Sequence, residues 1–427
     1  MKEGYKETEL GWIPQEWELK TIGELFDFKN GLNKEKEYFG KGTKIVNYVD
    51  VYKNRYIDNS NINGFVTVTE KEKDSFNTRK GDVFFTRTSE TINEIGMTAV
   101  LGEDIKDLVY SGFVLRARSK TDELSLGYKK YCFSDFYARR EIIRKSSYTT
   151  RALTSGTLLK DVLIKVPPLK EQEKIADILS TVDSQIDDTD KLIEKTKELK
   201  KGLMQRLLTN GIGHTEFKNT EVGNIPVEWE VKTISEIGKF MGGYAFKSCD
   251  YEKSGIPLVK IANVQQNRLC WDEKYYLPKE YINQYENYSL EKGDIVMAMT
   301  RPVISSGLKV CRIKESDLPC LLNQRVGKFV LSKEIEKDFL FHYMFTSYFI
   351  DKIKNLCSTT GQPNISSAQV ETILIPVPNI IEQSKISGIL SRIDIQIEEY
   401  EDKKIKLEEL KKGLMQQLLT GKIRVKI

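Results

Sequence analysis

Histidine is nearly missing from this sequence: among 427 residues there are two, His214 and His342. The six cysteines (Cys132, Cys249, Cys270, Cys311, Cys320 and Cys357) form no CxxC pair, so a zinc site is not expected. Reduced cysteines in a cytoplasmic protein are the plainer reading. No segment approaches the roughly 20 consecutive apolar residues that cross a bilayer. The N-terminal MKEGYKETELGW lacks the apolar stretch of a secretory leader. Motifs of catalysis are missing too. There is no GxxxxGK[ST] loop for a nucleotide phosphate and no GxGxxG after a strand. No Asn-Pro or Asp-Pro-Pro tetrad of the amino-methyltransferase kind occurs, and neither histidine has a neighbour suggesting a nucleophile–base pair. A lone acid-x-Lys, Glu230-Val231-Lys232, is too little for a nuclease. These absences point to a binding and assembling protein rather than an enzyme.

What is present is ordinary in amount and unusual in arrangement. Forty per cent hydrophobic and 30 % charged residues suit a chain of several cored domains. The net charge of +4 is too small to imply a nucleic-acid partner, but it is unevenly spread. FYARREIIRKSSYTTRAL (Phe136–Leu153) sets Arg139, Arg140, Arg144, Lys145 and Arg151 against the single acid Glu141. The last stretch, Leu410–Ile427, has five basic residues and no acidic one.

The arrangement is a tandem repeat. ELGWIPQEWELKTIGEL (Glu9–Leu25) returns as EVGNIPVEWEVKTISEI (Glu221–Ile237), identical at 11 of 17 positions. LIKVPPLKEQEKIADILSTVDSQI (Leu163–Ile186) returns as LIPVPNIIEQSKISGILSRIDIQI (Leu374–Ile397), and KKGLMQRLLTNG (Lys200–Gly211) as KKGLMQQLLTGK (Lys411–Lys422). Such a period is far too long for a solenoid and marks a duplicated module. Between the matched ends the copies diverge. The ends should therefore do one job twice, and the middles two versions of another.

Each module closes in a long helix. Pro168 suits its first turn, Glu171 and Glu173 suit its positive end, and Gly211 suits a left-handed cap; Pro378, Asn379 and Gly421 serve the second copy. Apolar residues at 3–4 spacing (Ile175, Leu179, Val182, Ile186, Ile193, Leu203, Leu207, then Ile386, Leu390, Ile393, Ile397, Leu407, Leu414, Leu418) draw a heptad-like seam. Thr189, Thr196, Lys200, Lys404 and Lys411 interrupt it. A helix of about 40 residues is about 60 Å long and outreaches a compact module. The two helices should therefore pack on each other, antiparallel about a pseudo-twofold axis, with a variable domain at each end. Leu179, Val182, Ile186, Leu203, Leu390, Ile393, Ile397 and Leu414 are the expected packing residues. Gly202 and Gly413, inside KKGLMQ, are expected to let the partner helix's start or an IPxEWE segment come close.

The variable middles alternate short apolar runs bounded by Gly, Asp or Asn (GDVFFTRT, GMTAVLG, VYSGFVLRARS, IPLVKIANV, GDIVMAMTR, RVGKFVLS) with two aromatic amphipathic helices, LGYKKYCFSDFYARREIIRK and IEKDFLFHYMFTSYFIDKIKNL. The expected fold class is α+β: two pseudo-twofold-related mixed α/β domains at 1–167 and 212–378, separated by a long helix at 168–211 and a second long helix with a C-terminal tail at 379–427, the helices forming an antiparallel coiled-coil-like pair.

In order and wording the chain resembles the specificity subunit of type I restriction–modification enzymes over essentially its whole length. LGWIPQEWELKTIGEL with its counterpart VGNIPVEWEVKTISEI, VPPLKEQEKIADIL with VPNIIEQSKISGIL, and the twice-occurring KKGLMQ are the matching signatures, joined in the second copy by GGYAFKSCDY, SGIPLVKIANV, NQRVGKF and TTGQPNIS. The first copy departs, with YSGFVLRA for the NQR strand and TTRALTSG for TTGQPN. The resemblance implies a non-catalytic, cytoplasmic prokaryotic subunit with two target-recognition domains that bind the halves of an interrupted double-stranded DNA sequence. It further implies two methylation subunits docked on the chain and restriction subunits able to join them. S-adenosylmethionine, ATP and magnesium would then belong to those partners, with no cofactor or metal on this chain. A rigid helix pair suits the task, since two readers on one duplex should sit about one helical turn, about 34 Å, apart. The recognition subunit of a fused nuclease–methyltransferase system shares this plan, and a protein-only pseudo-dimeric scaffold is the alternative of another class. Divergence of the middles under a constant frame argues against the scaffold.

Candidates for DNA contact are polar and basic residues at strand ends of the middles. They are Asn30, Arg87, Tyr148 and Arg151 in the first domain, and Tyr244, Lys247, Arg301, Gln362 and Asn364 in the second. Arg matches the acceptor edge of guanine, and Asn or Gln that of adenine. Arg87 and Arg301 follow the shared KGD strand at nearly equivalent places.

Overall fold

A computed structural model describes residues 3–305, 307–357 and 363–426. The chain divides into two compact units, residues 1–190 with 402–427, and residues 191–401. Each is mixed α/β, as expected. In the first, a five-stranded sheet runs in the order Phe26–Asn30, Val114–Ser119, Val83–Thr86, Thr98–Leu101, Tyr56–Ile57. In the second, the corresponding sheet runs Gly238–Gly242, Val326–Leu331, Ile295–Ala298, Val310–Arg312. The apolar runs GDVFF and GDIVMA become the fully buried strands Val83–Thr86 and Ile295–Ala298. The two aromatic segments do not form single helices. Each is broken, the first into Leu126–Lys129 and Phe136–Lys145, the second into Lys337–Tyr343 and Ser347–Leu356. In the second, the Thr346 hydroxyl accepts from Phe349 N–H and starts a new helix, so a local cap overrides continuous amphipathic spacing.

The repeated ends pair with each other inside each unit. Glu18–Thr21 lies antiparallel to Leu163–Val166, and Glu230–Thr233 to Leu374–Val377. The KT-I-x-E segments cap the short helices that follow: Thr21 and Glu24 exchange side-chain and backbone hydrogen bonds, and in the second copy Glu236 accepts from the Thr233 N–H and hydroxyl (2.7 Å each). The long helices follow, Leu169–Asn210 and Ile380–Leu418. Within the first unit, Asp183 faces Lys411 and Asp190 faces Lys404 (2.7 Å). Within the second, Lys197 faces Glu401 (2.9 Å) and Lys200 faces Asp394. Numbers rise on one helix as they fall on the other, so the segments are antiparallel in both units. Lys200, Lys404 and Lys411, which interrupt the apolar seam, thus meet acids on the opposite helix. Thr189 and Thr196 are buried and donate to the carbonyls of Gln185 and Leu192, four residues back (2.7 Å each). Leu179, Val182, Leu390, Ile393 and Ile397 are buried, while Ile186, Leu203 and Leu414 are half-buried.

Gly202 and Gly413 do not do what their position suggests. Both are exposed, and a Cβ at either would meet nothing within 4 Å among the described residues. The close approach occurs at the glycines that end the helices. Gly211 (φ +66°) and Gly421 (φ +72°) take the left-handed cap. A Cβ on Gly211 would lie 2.7 Å from the Trp229 ring, and one on Gly421 2.5 Å from Pro14 Cδ and 3.3 Å from Trp17. The IPxEW segments are the neighbours after all, through the cap glycine rather than the glycine inside the helix.

Beside each cap lies a buried carboxylate. Glu171 Oε2 accepts from Trp17 Nε1–H (2.8 Å), and Arg424 grips both its oxygens (2.6 and 2.9 Å) while also reaching Glu16. In the second unit Glu382 accepts from Trp229 Nε1–H (3.1 Å) and pairs with His214 (2.9 Å). One joint thus closes on an arginine fork and the other on an imidazole.

The other histidine, His342, is fully buried, with Nε2 3.1 Å from Ser391 Oγ and Nδ1 3.8 Å from Asp394. Burial, reinforced by the charges of Lys200 and Arg312, pushes its pKa down to about 3. The native state therefore holds it neutral while the unfolded chain protonates it below about 6.5. Its stabilising contribution is complete above that value and is lost as pH falls toward 3. Urea unfolding should show wild type losing up to about 1.4 kcal/mol per pH unit below pH 6.5 through this group. His342→Asn should flatten that part of the slope; an unchanged slope would refute the assignment.

Candidate nucleic-acid interface

In the first unit the strand Val114–Ser119, between Phe26–Asn30 and Val83–Thr86, organises one end of the sheet. Leu115 lies opposite Asn30 on one side and Phe85 on the other. Arg87 N–H donates to Phe113 O (3.0 Å), and Arg87 O accepts from Thr154 N–H (3.0 Å). Thr88 pairs with Leu153, and Ala152 with Tyr148, so the TTRAL hairpin is hung on the same edge. Asn30, Arg87, Tyr148 and Arg151 are thereby gathered at one end. Tyr148 is 56 % exposed, Arg151 and Asn30 are exposed, and Arg87 is half-buried with Nη1 3.5 Å from Gly112 O. Arg139, counted in the same basic stretch, is not part of this surface. It donates to the carbonyls of Asn93, Ile95 and Gly96 (2.7–2.9 Å), and burial lowers its pKa to about 10.

The second unit repeats the construction. Met299 N–H donates to Arg325 O, Ile365 N–H to Met299 O, and Arg301 N–H to Pro363 O (2.7 Å), while Thr300 bridges Asn364. On the other side of Val326–Leu331, Tyr244 bridges Asn323, and Gln324 N–H donates to Tyr244 O (2.9 Å). Tyr244, Arg301 and Asn364 thus converge at the equivalent sheet end, with exposed Lys247 three residues beyond Tyr244. Gln362 lies outside the described residues. Arg301 sits at φ +46°, a left-handed conformation that costs a non-glycine residue about 1 kcal/mol or more. Its strand-like tie to Pro363 holds it there.

Among the described residues no carboxylate forms an ion pair with the side chains of Arg151, Lys247 or Arg301, nor with that of Arg325, a residue the sequence alone did not single out. Gln324 and Arg325 are exposed on the turn between Leu322 and Val326. The signal for them was the NQR run itself, polar residues standing immediately before a buried strand. Exposed guanidinium, ammonium and amide groups on a rigid sheet end can bind phosphate and hydrogen-bond base edges, with the Tyr244 phenol held beside them by Tyr285. They offer no nucleophile–base pair.

The family described as the type I restriction modification DNA specificity domain matches twice, at residues 14–198 and 226–409. The type I restriction enzyme MjaVIII specificity subunit of Methanocaldococcus jannaschii is 32 % identical over 100 % of this chain and 97 % of its own. The putative type I restriction enzyme MjaX specificity subunit of the same organism is 28 % identical over 100 % and 98 %. A crystal structure of the type I restriction–modification S subunit of M. genitalium shares the fold, with a TM-score of 0.58 at 17 % identity over 94 % of this chain and 96 % of that one. No helix among the described residues is long and apolar enough to cross a membrane.

Proposed function

The chain belongs to the family of type I restriction–modification DNA specificity subunits, and from that premise we propose that its two units read the two halves of an interrupted double-stranded DNA target. The supporting observation is the pair of equivalent sheet ends, each collecting cationic and amide side chains without a carboxylate partner among the described residues, on a diverged scaffold within a frame repeated in sequence. Asn30, Arg87, Tyr148 and Arg151 would serve one half, and Tyr244, Lys247, Arg301, Asn364 and Gln362 the other. The repeated frame, including the long helices, would dock two methylation subunits, to which restriction subunits can add. Adenine methylation with S-adenosylmethionine and ATP- and magnesium-dependent cleavage would then reside in those subunits, working on chromosomal DNA in a prokaryotic cytoplasm. The chain itself would need no cofactor and perform no catalysis.

The test is a methylome of the source strain with and without this gene. An interrupted methylated motif should be present with the gene and vanish on its deletion. If the methylated motifs are the same in both strains, the reading fails.

A further inference from the structure

The sheet ends of the two units share one further element that differs in chemistry. In the second unit Val326 N–H donates to Asn323 O (2.9 Å), closing a tight turn with Gln324 and Arg325 at its centre. In the first, Val114 N–H donates to Ser111 O (3.0 Å), closing the same turn with Gly112 and Phe113 at its centre. Each turn is tied to the preceding strand's continuation by a bridge, Tyr244 to Asn323 and Leu32 to Ser111. The backbone is thus held alike in both, while the side chains it presents differ, most sharply at the exposed second centre, Arg325 against Phe113.

Resting on the DNA-reading function above, we propose that these turn centres are specificity-determining positions, Gln324 and Arg325 reading a guanine-containing step and Phe113 contacting a thymine methyl. Arg325 is exposed and without a carboxylate partner among the described residues, and its carbonyl is pinned by Met299 N–H (2.9 Å). A guanidinium fork on a fixed backbone suits the paired acceptors O6 and N7 of guanine, and such reading needs a rigid mount. Phe113 is 62 % exposed on an otherwise well-buried strand start. An aromatic side chain cannot neutralise phosphate, but it can contact the thymine methyl in the major groove. A turn that merely positioned the backbone of DNA would keep its cation in both units. The change from Arg325 to Phe113 under a constant turn is what a reading position requires.

Beside the second turn lies a cavity of about 380 Å³ whose wall includes Lys260, Asn263, Glu273, Tyr275, Gln324 and Arg325. Its wall is braced from within: buried Asn263 donates to the carbonyls of Cys270 and Glu273 and accepts from Lys260 N–H (2.8–2.9 Å). Lys260 Nζ rests 3.5 Å from the centre of the Tyr275 ring, and no carboxylate lies within 4 Å of it among the described residues, Glu273 standing elsewhere on the cavity wall. A flexible point charge there suits a phosphate rather than a base edge.

The experiment is selection from a randomised DNA duplex pool by the full chain assembled with its methylation subunits. Arg325→Ala should lower discrimination at one base pair of one half-site by about tenfold or more, leaving the other half unchanged. Arg325→Lys should lose the same discrimination while retaining the salt dependence of binding, since the charge remains. Lys260→Ala should weaken all sequences together and reduce the salt slope by about 1. Phe113→Ala should alter only the other half, and Phe113→Arg, which leaves the crowded Gly112 in place, should bring a guanine preference into it. The inference is overturned if Arg325→Ala and Arg325→Lys recover the wild-type motif, or if Arg325→Ala weakens every sequence equally. Should the wild-type complex select no interrupted motif, the functional reading falls first and the inference with it.

Discussion

Replacing Arg424 with alanine should lower the unfolding free energy of the chain by about 3 kcal/mol, the cost of leaving a buried carboxylate without its cation. Glu171 is completely buried at the start of the first long helix, and only Trp17 and Arg424 contact its oxygens through side-chain hydrogen bonds among the described residues. Arg424 contributes two of those three bonds and, among the described residues, the only ion pair. Its own side chain is a third exposed, which places the effect at the lower end of the range measured for broken buried pairs. The partner at Glu16 is largely in water and should contribute little. The check is urea unfolding of Arg424→Ala, Glu171→Gln and the double variant. Glutamine keeps an acceptor for Trp17 Nε1–H and needs no cation, so the double variant should recover much of what Arg424→Ala alone loses. A loss below about 0.5 kcal/mol in Arg424→Ala would show that the joint is solvated and the pair unimportant.

Two glycines in the same closing segment should respond in opposite directions. Gly421→Val forces a β-branched residue to φ +72° and drives its Cβ into Pro14, whose Cδ lies 2.5 Å away. Left-handed conformation alone costs about 1–2 kcal/mol, and overpacking against the proline ring adds a further 1–3 kcal/mol. Gly413→Ala, eight residues earlier, faces open space inside a helix and should stabilise by about 0.5–1 kcal/mol. Thermal or urea unfolding of both variants decides the matter. If Gly413→Ala destabilised the chain, a backbone neighbour at KKGLMQ would have to exist; if Gly421→Val were neutral, the packing of the cap against Pro14 and Trp17 would be wrong.

The contrast between these glycines shows where legibility ended. Both KKGLMQ and LLT-G recur, and recurrence marks each as important without distinguishing a glycine that ends a helix from one inside it. The apolar seam could be read because its 3–4 spacing is a property of one helix. That Lys411 meets Asp183 and Lys404 meets Asp190 depends on the register between segments more than 200 residues apart. Arg139 looked like part of a basic surface because charge counts ignore direction, and its guanidinium points inward to three carbonyls. At the sheet ends, Arg87 and Arg301 were visible as residues following a shared strand. Gln324 and Arg325 needed the turn geometry to be set beside Gly112 and Phe113.

By itself the sequence determined the duplication, the two long helices, the diverged middles and hence the kind of protein this is. These rest on local periodicity, on caps a few residues long and on comparison of the chain with itself. Only the tertiary structure decided which glycines are crowded, which carboxylates are buried under tryptophan, and which side chains share a sheet end. Each of those turns on residues distant in sequence being brought within a few ångströms, where burial changes the worth of a charge and a single Cβ decides whether two backbones can meet.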